Sequence, residues 1–422
     1  MKPHSFDFFF QTASGEAARK PYDYQCRLAC GEPARRSEAE WLEGGAGCHS
    51  QLISIPTGLG KTAAVALAWM WNRVAYPDAA HRDTWPRRLV YCLPMRTLVD
   101  QTESEVKKWL TTHGLLWDGK PANRAGKVGV HILMGGEDAG EWDIYPEENA
   151  ILIGTQDMLL SRALNRGYGM SRYRWPMHFG LLNNDCLWVM DETQLMGVGV
   201  ETSAQLEGFR ARWPLFGKCP TWWMSATLEA SRLATVDHPL PDGGWPRLEL
   251  SKEEKERSGS RPKELFEAKK VVSRCALSLS PATKSDYAKK IADLILTKHQ
   301  PGTLTLVVVN RVARAQEIYA ALTAVEKKSK QSLYDSARVA LIHSRFRRPD
   351  RERHEKLLFG DGDRIVIATQ AVEAGVDVSA RLLITELAPW SSLVQRFGRC
   401  NRRAEFSDAE VLWVDIEPDA KG

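Results

Sequence analysis

The sequence has 422 residues, of which 43% are hydrophobic and 26% charged, and its formal net charge is +4 at pH 7. A chain of this length is too long for one hydrophobic core, and its composition is that of an ordinary globular protein, so two or three domains are expected. The small positive charge permits nucleic-acid binding without requiring it, because such a site depends on local clustering of basic residues.

Several features argue against a membrane or secreted protein. No apolar run approaches the roughly 20 residues of a membrane-spanning helix. The N-terminal sequence MKPHSFDFFFQTASG has an Asp inside a short apolar patch, which is not typical of a signal peptide. The eight cysteines are scattered, and only Cys26 and Cys30 are close together. We therefore expect a cytoplasmic protein with reduced thiols, without a disulfide framework or a thiolate metal site.

Two blocks of the chain alternate short apolar runs with helix-length amphipathic segments. The runs of the first block are QLISI, RLVYCL, AILIG, CLWVM and TWWM, and those of the second are TLTLVVV, RVALIH, RIVIA, RLLIT and VLWVD. Short apolar strands separated by helices are typical of buried parallel sheets in α/β domains. A stretch rich in Pro, Gly and charge separates the blocks. It predicts a first domain at 1–235, a connecting region at 236–274 and a second domain at 275–422.

The segment LISIPTGLGKTAAVALAW predicts a phosphate-binding loop between a strand and an Ala-rich helix. Gly58 and Gly60 allow the loop that starts at Thr57 to curl, so that its N–H groups face a phosphate. Lys61 would reach the β- and γ-phosphates of ATP, and the Thr62 hydroxyl would hold Mg²⁺. The alternative is an ordinary strand–turn–helix, which the Lys-Thr pair at the start of the helix disfavours.

The apolar run CLWVM ends in two adjacent acids, Asp191 and Glu192. A strand end of this kind is often no more than a pair of solvated charges. Here it follows a phosphate loop, with two predicted strands between them. We therefore expect Asp191 to hold Mg²⁺ through water and Glu192 to polarise the attacking water.

Near the end of the chain, QRFGRCNRR carries Gln395, Arg396, Arg399 and Arg402 at spacings of three and four. This spacing predicts one helical face with several cations. A solvated basic face is the usual meaning of such a run, although Gly398 inside it is costly for a surface helix. The alternative is a set of arginines that reach from the second domain to the γ-phosphate of ATP.

Nine segments, taken in chain order, resemble the motifs of superfamily 2 helicases. They are PYDYQ, PTGLGKT, LPMRTLVDQT, GTQDML, DETQ, SAT, VVNRVARA, ATQAVEAGVD and QRFGRCNR, and they span Tyr22 to Arg402. More narrowly, FDFFF…PYDYQCRLA and EAGVDVSARLLITELAPWSSLVQRFGRCNR resemble the helicase part of the type I CRISPR helicase–nuclease. The resemblance implies two RecA-like α/β domains, each a mostly parallel sheet flanked by helices, with a nucleotide cleft between them.

The resemblance also implies functional residues at the matching positions of this chain. Gln25 would read the adenine edge, since its amide offers both a donor and an acceptor. Gly375 and Asp377 would sense the nucleotide, and Ser225 and Thr227 would couple the nucleotide site to the nucleic-acid site. The contacts to the nucleic-acid backbone would be Pro94, Arg96, Thr97, Thr155, Arg311, His343, Ser344 and Thr369. Any one of these could instead be a turn or cap residue.

The chain departs from the family pattern in two places. Gln194 stands where the second motif usually has His. Because Gln can still hydrogen-bond to a motif on the coupling side, we expect hydrolysis to be preserved, and how tightly it is linked to movement stays open. The family's nuclease domain carries a His-Asp pair, and no His-Asp dipeptide occurs in this sequence. We therefore expect that this chain does not cut DNA and that the nuclease lies in a further part of the protein or in a separate protein.

Basic residues also gather between His343 and Lys356. A rim that follows the phosphates, with Phe346 stacking on bases, and a solvated amphipathic helix are equally good interpretations. The tryptophans within strands, Trp188, Trp222 and Trp223, are expected in the core.

Together these features predict an ATP- and Mg²⁺-dependent motor that translocates on single-stranded DNA, with RNA possible. By resemblance it would move 3′ to 5′ after recruitment by an RNA-guided CRISPR surveillance complex. The catalytic residues would be Lys61, Asp191, Glu192, Gln395, Arg399 and Arg402. Two alternatives stay open: a general DNA or RNA remodelling helicase, and a nucleotide-gated nucleic-acid-binding module without turnover.

Overall fold

The computed structural model describes residues 5–15, 20–31, 45–135, 142–167, 169–225, 230–236, 238–328, 338–373 and 375–417. The chain divides into two compact units, Met1–Lys255 and Glu256–Gly422. Each unit is built around one parallel sheet with helices packed against it.

The first unit holds a seven-stranded sheet in the order β3-β4-β2-β5-β6-β1-β7. Its strands are β1 (Gln51–Ser54), β2 (Arg88–Leu93), β3 (Val128–Leu133), β4 (Asn149–Thr155), β5 (Cys186–Met190), β6 (Thr221–Met224) and β7 (Arg247–Glu249). Its helices are α1 (Phe6–Ser14), α2 (Asp23–Cys30), α3 (Lys61–Trp69), α4 (Ala79–Arg82), α5 (Arg96–Thr112), α6 (Gln156–Ala163), α7 (Trp175–Leu182) and α8 (Gly199–Arg212), and α9 (Lys252–Glu256) crosses the boundary between the units.

The second unit holds a six-stranded sheet in the order β10-β11-β9-β12-β13-β8. Its strands are β8 (Val271–Leu279), β9 (Leu304–Val308), β10 (Val339–Ile342), β11 (Arg364–Ala368), β12 (Leu382–Glu386) and β13 (Glu410–Ile416). Its helices are α10 (Arg261–Glu267), α11 (Tyr287–Lys298), α12 (Val312–Lys328), α13 (Arg348–Phe359) and α14 (Trp390–Phe397).

The predicted α/β class, with two mostly parallel sheets flanked by helices, is confirmed. Every run that the sequence predicts as a strand contributes to one of the two sheets, and the strand pairs of the described residues are all parallel. The sequence missed β3, β7 and β8. Two of these lie in the predicted connecting region 236–274, where β7 pairs with β1 and β8 begins at Val271 and pairs with β13.

The cores consist of strand side chains and of the helix side chains that pack against them. Trp188, Trp222 and Trp223 are buried, as the sequence predicts. All eight cysteines are free in the structure. None of the helices in the described ranges combines the length and the apolar character that crossing a membrane requires.

A buried amide fixes the helix that follows the predicted phosphate loop. A π-helical turn, Met70–Ala75, continues α3 and contains Asn72, which is fully buried. The Asn72 amide donates to the carbonyl of Ala29 at the end of α2 (2.8 Å) and accepts from the N–H of Ala46 (3.1 Å). These bonds tie α3 to α2, which carries Gln25, so the helices on both sides of the loop are held as one body.

Candidate functional site

The predicted phosphate loop lies between the end of β1 and the start of α3. Gly58 and Gly60 have φ angles of 89° and 73°, a left-handed conformation that other residues adopt only with strain. The first-turn N–H groups of α3 lack helical partners and point out of the helix, as an anion requires. The loop therefore has the backbone of a phosphate site.

Lys61 is the first residue of α3, and its side chain lies beside the acidic pair. It is 8% exposed, and its Nζ has no hydrogen-bond partner in the structure. The nearest acidic atom recorded for it is Glu192 Oε1, at 4.0 Å. A buried ammonium group without hydrogen bonds is costly, and an anionic ligand in the loop would satisfy it. This orphaned cation fits a triphosphate.

The acidic pair follows β5, which is hydrogen-bonded between β2 and β6. Asp191 is buried, and Glu192 has φ 54° and ψ 44°, a left-handed conformation rare for Glu and typical of functional turns. The Glu192 N–H donates to Asp191 Oδ1 (2.8 Å). Burial, and then the negative charge of Glu192, raise the pKa of Asp191 to about 6 against the opposing effect of Lys61.

Tyr91 of β2 contacts one of the two predicted Mg²⁺ ligands, Asp191, and the sequence analysis missed it. Its hydroxyl donates to Asp191 Oδ2 (2.9 Å). The hydroxyl and carboxylate oxygens of Thr62 and Asp191 are ligands that Mg²⁺ prefers, and together they fit the metal. The available signal was a tyrosine in a fully buried strand, since a buried phenol needs a polar partner.

Gln194 bridges the acidic pair and the strand end after β6. Its Nε2 donates to Glu192 Oε2, and its Oε1 accepts from the Ser225 hydroxyl (2.8 Å). The hydrogen bond that the sequence predicts for Gln194 toward the coupling side is therefore present. Thr227, the other predicted coupling residue, lies outside the described residues.

Gln25 is buried against the phosphate loop. Its Oε1 accepts from the N–H of Tyr22 (2.9 Å), and its Nε2 donates to the carbonyl of Gly60 (3.1 Å). Tyr24 reinforces the same contact, because its hydroxyl donates to the carbonyl of Leu59 (2.6 Å). Both functions of the Gln25 amide are thus used within the protein, so reading adenine would require an exchange of partners. That role stays a prediction.

The predicted nucleic-acid contacts of the first unit lie at the carboxyl ends of adjacent strands. Leu93, which precedes Pro94, is in register with Thr155. Arg96 is exposed at the start of α5, and the Thr97 hydroxyl is buried without a hydrogen-bond partner. These residues share one edge of the sheet with the phosphate loop, because the strands are parallel.

The predicted contacts of the second unit are less uniform. Arg311 and Ser344 are exposed, whereas His343 and Thr369 are buried. The Phe346 ring stacks on His343 at a centroid distance of 4.1 Å and lies 4.9 Å from the His354 ring. Histidines therefore occupy the neighbourhood in which a base would stack on Phe346.

The prediction of one cationic helical face at 395–402 was wrong. The helix α14 ends at Phe397, so Gln395 lies in the helix while Arg399 and Arg402 follow it in a loop. Asn401 in this loop has φ 47°, which a continuing helix does not allow. The run is also not a solvated face, because Gln395 and Arg399 are buried.

Two predicted nucleotide sensors lie close to this loop within the second unit. Arg402 Nε pairs with Asp377 Oδ1 at 2.8 Å. Gly375 has φ 72°, a conformation that favours glycine. Arg399 Nη2 donates to the carbonyl of Glu373 (2.6 Å). Gly375, Asp377, Arg399 and Arg402 thus form one neighbourhood.

Arg396 is the second residue that the sequence analysis missed as an organiser of the site. It is 1% exposed. Its guanidinium donates to Glu373 Oε1 (2.8 Å), Thr385 Oγ1 (3.0 Å), the carbonyl of Glu386 (3.0 Å) and Asn310 Oδ1 (2.9 Å). One side chain thereby joins the strand ends of β9 and β12 to the turn that precedes Gly375.

A further metal site would require a group of side chains that could bind the ion. In the part of the chain that the structure describes, no group of three or more His, Cys, Asp or Glu side chains is placed to hold a metal ion.

Two protein-family models match the chain. Residues 37–236 match the model described as DEAD/DEAH box helicase, and residues 301–405 match the model described as CRISPR-associated nuclease/helicase Cas3, C-terminal. Among curated proteins, the chain is similar to the CRISPR-associated helicase Cas3 of Thermoproteus tenax, with 36% identity over 124 residues, 28% of this chain and 19% of that protein. It is also similar to the CRISPR-associated nuclease/helicase Cas3 of Haloferax volcanii, with 39% identity over 88 residues, 19% of this chain and 9% of that protein.

Solved structures show the same fold. The T. fusca Cas3 structure with AMPPNP superposes with a TM-score of 0.64 at 17% identity, covering 97% of this chain and 48% of that one. The DUF1998 helicase MrfA bound to DNA superposes with a TM-score of 0.60 at 15% identity, covering 99% and 52%. The chain thus has the two RecA-like α/β domains of these proteins and spans about half their length.

The Arg396 network predicts a large loss of stability when the cation is removed. Arg396→Met leaves the buried Glu373 carboxylate without its partner, so the free energy of unfolding of the second unit should fall by about 3–5 kcal/mol. Chemical denaturation measures the change. The control Arg274→Met breaks an exposed pair with Asp415 and should cost less than about 1 kcal/mol.

A double variant separates the charge from the shape of the side chain. Arg396→Met combined with Glu373→Gln should recover part of the loss, because no uncompensated charge is left. Equal losses in the single and double variants would contradict this role for the ion pair.

Proposed function

Because its two domains are those of a superfamily 2 helicase that resembles Cas3, we propose that this chain is an ATP-driven translocase and helicase on single-stranded DNA. The observation that carries the proposal is the buried Lys61 cation, which has no hydrogen-bond partner and lies between a glycine loop and two acids. A structural ion pair would satisfy the ammonium group with hydrogen bonds. In an ATP site, by contrast, the ammonium group forms its hydrogen bonds with the phosphates of the bound nucleotide.

Each site residue of the first unit has a separate proposed role in ATP hydrolysis. The N–H groups of the loop from Thr57 to Gly60 and the Lys61 ammonium bind and orient the phosphates. Thr62 and Asp191 would hold Mg²⁺, which would supply positive charge that neutralises the phosphates. Glu192 would polarise the attacking water and accept its proton.

The second unit carries Gln395, Arg399 and Arg402, which the helicase resemblance assigns to the γ-phosphate. They would supply hydrogen bonds and positive charge as negative charge develops there. The ion pair between Arg402 and Asp377 supports this role. Asp377, itself a proposed nucleotide sensor, would hold the Arg402 guanidinium in position until the phosphate binds.

Gln194 is proposed to connect hydrolysis to movement. The Gln194 side-chain amide forms one hydrogen bond with the proposed general base Glu192 and another with Ser225, at the end of β6. A shift of Glu192 during hydrolysis therefore changes a contact at the strand end, where the family's coupling motif lies. The nucleic-acid contacts would be the residues of the strand edge and of the second unit named above.

The biological setting follows from the likeness to Cas3 proteins. We propose that the motor moves 3′ to 5′ in a type I CRISPR interference system of antiviral defence, after recruitment by an RNA-guided surveillance complex in the cytoplasm. The absence of a His-Asp dipeptide from the sequence supports a nuclease outside this chain. A general remodelling helicase is the alternative, and equal stimulation of ATP hydrolysis by RNA and DNA would favour it.

The first test is ATP hydrolysis with and without single-stranded DNA. Wild-type protein should be stimulated by DNA, and Lys61→Ala should lower the stimulated rate by at least about 100-fold, because a preorganised cation at the developing charge is lost. A phosphate-release assay measures both rates.

The outcome distinguishes the candidate functions. ATP binding without turnover in the wild type would contradict the motor and favour a nucleotide-gated binding module. The control Lys107→Ala removes a lysine whose pair, Glu103, lies one turn away on the exposed side of α5, and it should behave as wild type.

Gln194→Ala should uncouple hydrolysis from nucleic acid. The variant loses the bonds to Glu192 and Ser225, so the ratio of the DNA-stimulated rate to the basal rate should fall by about 5-fold or more. Gln194→His, the residue usual in the family, should retain the ratio because its ring can still bond Ser225. A wild-type ratio in Gln194→Ala would rule out the amide as the connection.

A further inference from the structure

A segment of the first unit combines cations with an exposed aromatic ring outside the helicase motifs. The 27 residues from 158 to 184 contain four arginines and no Asp or Glu. Within them, the described residues 164–167 and 169–179 comprise the connection from α6 to α7 and the start of α7, and they are called the Arg-Tyr segment. Tyr173 in this segment is 98% exposed, and Arg166 and Arg172 are exposed as well.

The base of the Arg-Tyr segment is held in place by buried contacts. Trp175 Nε1 donates to the carbonyl of Gly167 (3.1 Å), and the Trp175 ring lies so close that a Cβ on Gly167 would meet it at 2.2 Å. Arg174 Nε donates to the buried Asp143 Oδ2 (3.1 Å), which also bonds His178 Nε2 (2.8 Å). Tyr173 is therefore carried on a fixed turn, with anchored residues directly after it.

The charges of the segment are only partly balanced. Arg174 and His178 share the Asp143 carboxylate. Arg166 and Arg172, in contrast, form no ion pair with an Asp or Glu of the described residues. The Arg172 guanidinium lies 5.8 Å from the centroid of the Trp175 ring, a contact that keeps the cation beside Tyr173 while leaving its N–H groups to a ligand.

This combination favours a nucleic acid over a protein. Proteins that bind single strands without sequence preference pair cationic surface with aromatic rings on which bases stack. A Tyr side chain has only two torsion angles, so it loses little conformational entropy when it binds. The other exposed large apolar side chains among the described residues of the segment, Leu164, Met177 and Phe179, are 37–42% exposed, so each offers much less free surface than Tyr173.

We propose that the Arg-Tyr segment is a second contact for single-stranded nucleic acid, with Tyr173 stacked on a base and Arg166 and Arg172 bound to phosphates. The proposal rests on the proposed function, since it requires a chain that binds single strands. The segment starts at the far end of α6 from Thr155, about 12 Å along the helix. It therefore adds a contact beyond the strand edge that carries Thr155.

The test is the affinity of the full chain for a fluorescent single-stranded DNA, followed by anisotropy. Tyr173→Ala should weaken binding by about 5-fold or more, and Tyr173→Phe should bind as wild type because the stacking face is kept. On an oligonucleotide of abasic sites, wild type and Tyr173→Ala should bind alike. Arg172→Ala should lower the slope of log affinity against log salt by about 1.

A matched control removes another exposed ring from the same unit. Phe216 is 86% exposed, and Phe216→Ala should leave the affinity unchanged. Tight binding of DNA by wild type with no change in Tyr173→Ala would overturn this inference alone and would leave the surface to a protein. No binding of DNA by the wild type would overturn both the inference and the proposed function.

Discussion

Parallel strand pairing is the constraint on which the site depends. In the first unit, β5 pairs with β2 on one side and with β6 on the other, and β6 pairs with β1. Parallel strands end at one edge, so four chain segments that are far apart in sequence meet there. The phosphate loop follows β1, the acidic pair follows β5, Ser225 follows β6, and Pro94 follows β2. A single sheet edge therefore brings together the groups that we propose for phosphate binding, hydrolysis and coupling.

The charged side chains at this sheet edge determine which ligands it can bind. Lys61 is a buried cation, and Asp191 and Glu192 place two carboxyl groups beside it, one with a pKa raised to about 6. Each group would be costly to bury alone. A triphosphate with a divalent cation would satisfy all of them, with the anion at Lys61 and the cation at Asp191. Arg396 in the second unit differs from Lys61, because the hydrogen bonds of its guanidinium are already made within the protein, to Glu373 and neighbouring oxygens. Arg396 therefore stabilises the fold of the second unit.

The sequence predicted most of the strands and the position of the glycine loop between β1 and α3, because those features are local. Alternating apolar runs identify strands, and Gly58 and Gly60 identify the loop. What it missed depends on neighbours distant in the chain. Strand β7 has three residues and is defined only by β1, and Tyr91 acquires a role only because β2 lies beside β5. The helix predicted at 395–402 ends at Phe397, because Arg399 and Asn401 bond to other segments instead.

Translocation itself is the most direct test of the account. A single-stranded DNA with biotin at one end, blocked by streptavidin, reports whether ATP hydrolysis moves the protein along the strand. The account predicts ATP-dependent release of streptavidin from the 5′ end and little from the 3′ end, since a motor moving 3′ to 5′ arrives at the 5′ terminus. Steady ATP hydrolysis without release from either end would contradict the claim that the bonded chain from Glu192 through Gln194 to Ser225 belongs to a motor.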